Sequence, residues 1–212
     1  EKSPNDMIAV QACWEELGGS ESILYNEGGD KDVRQWKGVT VEDGRIVKID
    51  WSGSKENAGG KLSGSIYKDI GKLTELRLLD LHNNEISGAI PTSIGKCKKL
   101  IKLNLKSNKL GGELPKELGE CELLEELSLG NNDLRGKIPK ELEKLKTLKS
   151  LKINNNSLEG SLPEALGKIV SLKKLHVYNN NLSGQVPEAL DRWEEGFDFR
   201  YGNNENEAGK TL

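Results

Sequence analysis

Leucine and isoleucine return along most of the chain with one spacing. Leu76, Leu79, Leu81, Ile86, Ile90 and Ile94 are repeated 24 residues later by Leu100, Leu103, Leu105, Leu110, Leu114 and Leu118, and the same slots are refilled up to Leu190. Within each copy the run Leu-x-x-Leu-x-Leu alternates apolar and polar positions over a few residues, which predicts a short strand with one face turned inward. The wider spacing that follows fits a turn and a short helical return. A single strand and return cannot bury their own apolar face, so consecutive copies must stack, strand beside parallel strand.

Other columns keep the same step. Five of the six prolines are Pro91, Pro115, Pro139, Pro163 and Pro187, and Asn84, Asn108, Asn132, Asn156, Asn180 and Asn204 recur likewise, as do Gly88, Gly112, Gly136, Gly160 and Gly184. An irregular copy precedes the regular ones, with Ile46, Ile49 and Trp51 in the strand slots and six extra residues before Leu62, and a truncated copy follows at Phe199, Tyr201 and Asn204. The recurring Asn predicts a buried ladder whose amides satisfy backbone groups where the chain leaves the strand.

This pattern resembles the leucine-rich repeat over about residues 36 to 204. Its Leu-x-Gly-x-Ile-Pro half resembles the plant-type subclass found in receptor-kinase ectodomains, polygalacturonase-inhibiting proteins and free-standing algal and protist repeat proteins. The resemblance implies an α/β fold: a right-handed leucine-rich-repeat solenoid with a parallel concave β-sheet, a short 3-10 or irregular convex side, and a helical plus β-hairpin N-terminal cap. The cap is expected over 1–45, with a helix at about 6–17 and a hairpin at about 36–50; six repeats follow over 46–195, then a truncated repeat and polar tail over 196–212. Asp6 is the expected helix N-cap, Val10, Cys13, Trp14 and Leu17 its apolar face, and Gly18 its stop. Asp43-Gly44 marks the hairpin turn. Trp193 takes the slot filled earlier by Leu73, Cys97, Cys121, Leu145 and Ile169. Family members often carry a disulfide in Cys-x-Trp-x-Gly-Val-x-Cys, whose ends are Arg34 and Val41 here.

Composition fits an elongated core rather than a round one, with 34% hydrophobic and 5% aromatic residues against 31% charged. The charges nearly cancel, for a net of −3 without a basic arm, which excludes a nucleic-acid-coating protein. No apolar run approaches the roughly 18 residues of a membrane span, and Glu1-Lys2-Ser3-Pro4 lacks the core of a signal peptide. Of the three cysteines, Cys97 and Cys121 share an inward slot and are expected as small core residues, although coils about 5 Å apart would also admit a disulfide. The odd count and missing cap pair favour a reducing, intracellular compartment. The sequons Asn155-Asn156-Ser157 and Asn181-Leu182-Ser183 favour the secreted alternative.

No hydrolase, zincin, dinucleotide or phosphate-loop motif occurs, and no paired Cys-x-x-Cys. His82 and His176 stand four copies apart, about 20 Å at strand spacing, too far to share a metal. Asp80 and His82 point the same way from one strand, an arrangement that would admit a weak metal site or acid-base pair but is expected as an ordinary solvated pair. Neither enzyme activity nor a cofactor or metal is expected. The concave face remains. Its middle column runs Asp50, Asp80, Asn104, Ser128, Lys152, His176, Arg200, from acidic to basic. The next column, Ser52, His82, Lys106, Gly130, Asn154, Tyr178, Gly202, places an aromatic at the basic end, while the column holding Lys102, Glu126, Lys174 and Asp198 partly cancels the gradient. The expected function is non-catalytic binding of a protein or peptide by a monomer. Lys152, Lys174, His176, Tyr178 and Arg200 would contact an acidic segment. The alternative is a secreted receptor-like or enzyme-inhibitor module.

Overall fold

The computed structural model describes residues 4–19, 34, 36–53, 61–190 and 196–204 of the 212. One sheet runs the length of the solenoid. It starts with the hairpin strands Val39–Glu42 and Arg45–Asp50 and continues through Leu78–Asp80, Lys102–Asn104, Glu126–Ser128, Ser150–Lys152, Lys174–His176 and Asp198–Arg200, in chain order. Beyond the antiparallel hairpin every neighbour is parallel, and the register follows the repeat, so that Leu79, Leu103, Leu127, Leu151, Leu175 and Phe199 lie side by side. The five leucines are buried, and with the Ile and Leu slots of each return they form one continuous core.

The Asn ladder explains how each copy is joined to the last. Asn132 Oδ1 accepts the Leu110 N–H at 3.0 Å, while its Nδ2 donates to Leu129 O and Leu105 O at 3.0 Å each. One amide thus bonds both to its own turn and to the preceding copy, and Asn84, Asn108, Asn156 and Asn180 repeat the arrangement. The residue before each ladder Asn is left-handed: Asn83, Ser107, Asn131, Asn155, Asn179 and Asn203 have φ between 53 and 58°. Asn tolerates that conformation better than most side chains.

Each Pro opens the convex return. Pro91 at φ −64° leads into the 3-10 turn Thr92–Lys96, with Ile94 N–H donating to Pro91 O at 3.1 Å. Between turn and return lies a second row of short parallel strands that the sequence reading treated as irregular. Ser87–Gly88 pairs with Lys109–Leu110, and Arg135–Lys137, Ser157–Gly160 and Asn181–Leu182 form a further sheet. Strands this short carry too little alternation to be read.

At the amino end a helix spans Pro4–Glu16, two residues ahead of the expected start. Asp6 is therefore not its N-cap. It lies inside the first turn, 1% exposed, and its carboxylate accepts Arg45 Nε–H and Ile46 N–H at 3.0 Å each, clamping helix to hairpin. Val10, Cys13, Trp14 and Leu17 are buried as expected, and Trp14 meets Trp51 edge-on with centroids 4.8 Å apart. Gly18, at φ 71°, donates to Glu15 O while Gly19 donates to Trp14 O, a left-handed cap that only glycine forms without strain. The hairpin turns at Asp43 and Gly44, both left-handed. Trp193, the connection between cap helix and hairpin, the six extra residues before Leu62 and the tail beyond Asn204 lie outside the described residues. Cys13, Cys97 and Cys121 are free thiols in the core, and burial pushes Cys97 up to about 12 and Cys121 up to about 11.

Candidate partner-binding face

The register brings the five expected contact residues together. Lys152, His176 and Arg200 form one row across the last three strands, because Lys152 pairs with His176 and His176 with Arg200. Lys174 lies two residues before His176 and opposite Asp198. Tyr178 follows on the same strand line, its ring centroid 6.0 Å from that of His176.

Electrostatics change the expected picture. Asp198 sits inside the cluster and takes up most of its charge: His176 Nε2 lies 2.8 Å from Asp198 Oδ2, Arg200 Nε donates to Oδ1 at 3.0 Å, and Lys174 Nζ is 3.9 Å away. Burial would raise the Asp198 carboxyl, but hydrogen bonds from Arg200 and His176 outweigh it and hold the group below the usual carboxylate range. His176 is only 9% exposed, and this desolvation pulls its imidazole below the ordinary 6.5 despite the carboxylate beside it. A neutral ring facing a carboxylate must carry its proton on Nε2. His176 therefore adds no charge at neutral pH. Lys152 makes no ion pair with any described residue, and the uncompensated cation is there rather than at the carboxyl-terminal edge.

The acidic end is likewise paired within the chain. Asp80 is nearly buried and accepts Asn104 Nδ2–H at 3.0 Å, with His82 Nδ1 at 2.6 Å from its other oxygen. Lys48 lies 3.4 Å from Asp50, and Lys102 is 3.2 Å from Glu126. The acidic-to-basic gradient read from one column is thus largely neutralised by its neighbours. Among the described residues no three His, Cys, Asp or Glu side chains gather where a metal could bind. Sequence reasoning passed over Asn154, a buried polar residue on this face, in a column whose other side chains are half-buried or exposed.

A family model for a leucine-rich repeat region matches residues 61–201. The chain belongs to the leucine-rich repeat family. Solved structures similar to this chain include leucine-rich repeat ectodomains of plant receptor kinases. The PEPR1–AtPEP1 structure is 25% identical with a TM-score of 0.82, over 95% of this chain and 29% of the other. The leucine-rich repeat ectodomain of the receptor kinase SOBIR1 from Arabidopsis thaliana is 27% identical at 0.74, over 88% of this chain and 99% of the other. A plant peptide hormone receptor, RGFR1 in complex with RGF2, is 35% identical at 0.63, over 68% of this chain and 23% of the other. This leucine-rich repeat chain thus spans under a third of the first and third of these and nearly all of the second. No curated protein matches the sequence. The expectation of an intracellular protein draws no support from a likeness to an ectodomain. Among the described residues no helix is long and apolar enough to cross a membrane.

Proposed function

We propose that the protein is a non-catalytic binding scaffold that takes a protein or peptide on its concave sheet. The observation that carries this is the register that sets Lys152, Lys174, His176, Tyr178 and Arg200 on three adjacent strands of an open face. Tyr and Arg are the residue types that most often dominate interface energies. Likeness to a peptide hormone receptor supports the class of partner. An acidic segment would be drawn to the Lys152 end and held weakly by charge, since Asp198 shares the same cluster. Likeness to an ectodomain also favours the secreted alternative, for which Asn181, exposed on a short strand, is the open sequon.

Peptides selected from a randomised library against the full chain provide the test. Tyr178→Ala and Arg200→Glu should each weaken them by about tenfold or more, and Asp50→Lys, at the far end, should not. Added salt should weaken binding without abolishing it. Undiminished binding by both variants would place the partner elsewhere on the molecule.

A further inference from the structure

Beside the buried Asn ladder, just past the ends of the concave strands, a second polar row runs along the solenoid. Its members are the left-handed residues, and their side chains are joined to one another. Asn203 Nδ2 donates to Asn179 Oδ1 at 2.9 Å, Asn179 Nδ2 to Asn155 Oδ1 at 2.5 Å, Asn155 Nδ2 to Asn131 Oδ1, and Asn131 Nδ2 to Ser107 Oγ at 3.2 Å. Asn131, Asn155 and Asn179 thereby each spend one N–H and one lone pair on their neighbours. A carboxamide has two of each, so every one of the three keeps a donor and an acceptor. Asn131 and Asn179 are exposed and Asn155 half-buried. Bonds along the row already fix the amide rotamers, so little side-chain entropy is left to lose when a ligand arrives.

The row changes character along its length. Asn83 stands between His82 and Glu85, and Ser107 between Lys106 and Lys109. Around Asn155, Asn179 and Asn203 the corresponding positions are Asn154, Ser157, Tyr178, Asn181 and Gly202, none of them charged, in a chain that is 31% charged. An ionic ligand would find no counter-charge among them. The ligand that fits is neutral and rich in groups that both donate and accept, as hydroxyls do. An extended peptide laid along the row would repeat about every 3.3 Å, out of step with amides about 4.8 Å apart. A pyranose ring is longer than a peptide unit and carries several hydroxyls. Tyr178, half-buried and directly before Asn179, supplies a flat apolar surface for the C–H face of such a ring. We propose that Asn131, Asn155, Asn179 and Tyr178 bind a linear neutral glycan lying across the strand ends. This site goes beyond the concave-face reading and shares only Tyr178 with it.

Calorimetric titration of the full chain, made without glycans of its own, with cellohexaose, xylohexaose and mannohexaose is the test. At least one should bind, with an affinity that is the same at low and high salt, because no ion pair forms. Glycine suits the φ of 53° at residues 155 and 179, so the double variant Asn155→Gly, Asn179→Gly should melt near the wild type while its glycan affinity falls by about tenfold or more. Tyr178→Ala should weaken binding too, and Asn83→Gly, at the charged end, should not. Peptides selected on the concave face should bind the double variant as they bind the wild type, which separates failure of this site from failure of that reading. If none of the three glycans binds, if the double variant binds as tightly as the wild type, or if binding fades with salt, the proposal is overturned.

Discussion

Two adjacent columns of asparagine do different work, and the difference is a matter of single dihedrals and single amides. Asn132 satisfies three backbone groups, so Asn132→Ala should cost about 1–3 kcal/mol in chemical denaturation. Asn131 is exposed, but it is left-handed at φ 57° and donates to Ser107 Oγ at 3.2 Å, so Asn131→Ala should cost roughly 1 kcal/mol where Asn131→Gly costs little. Ser107 occupies the same left-handed slot without the preference for it, and Ser107→Asn should gain about 0.5 kcal/mol. Equal stability of all four proteins would mean the two columns are misassigned. The inner column was legible because a strict period marks it; the left-handed φ of the outer one was not, since Ser107 interrupts its asparagines and no local pattern announces a dihedral. His176 adds a pH dependence. Desolvation lowers its pKa in the fold, so the unfolded chain binds a proton that the native state excludes. That contribution to stability is present above about pH 6.5 and is lost as the pH falls below it. Between pH 7 and 5 the wild type should lose more melting temperature than His176→Gln, which keeps a donor for Asp198; parallel curves would contradict the shift.

At the level of elements, the strands of the concave sheet could be read from the leucine alternation, and the hairpin from Asp43-Gly44. The helix start could not, because Asp6 satisfies the sequence rule for an N-cap while serving a tertiary role. Its partners, Arg45 and the Ile46 N–H, lie 39 and 40 residues away, beyond any local signal. Asp6→Ala strands a buried N–H and a partly buried guanidinium, and should cost about 2 kcal/mol. Hydrogen exchange should then quicken along Pro4–Glu16 while amides around Leu127 and Leu151 keep their protection. Unchanged exchange in the helix would show that apolar packing of Trp14 and Leu17 alone holds the cap. The second row of strands escaped notice for a related reason: Ser87–Gly88 and its counterparts are ordered by the neighbouring copy, not by their own pattern.

For the whole molecule, each copy touches only its neighbours, so stability is close to a sum of copies and interfaces and a weak link divides the chain. The two ends are unequal. The amino-terminal end is closed by the helix and its Asp6 clamp, whereas the last strand, Asp198–Arg200, has a neighbour on only one side among the described residues and leaves Phe197, Phe199 and Tyr201 partly buried. Leu127→Ala removes a buried side chain from the middle of the sheet and should cost about 2–5 kcal/mol. Because that loss uncouples the halves, exchange should rise further at Leu175 and Val177 than at Ile49 and Leu79. A uniform rise at all four would mean that the solenoid unfolds as one unit. The half expected to open first is the half that carries Lys152, Tyr178 and Arg200. A selected peptide spanning those strands should therefore restore protection at Leu175 and Val177 in the Leu127→Ala protein, since a ligand that binds only the folded half stabilises it by mass action. Peptide bound without restored protection would place its contacts outside these strands.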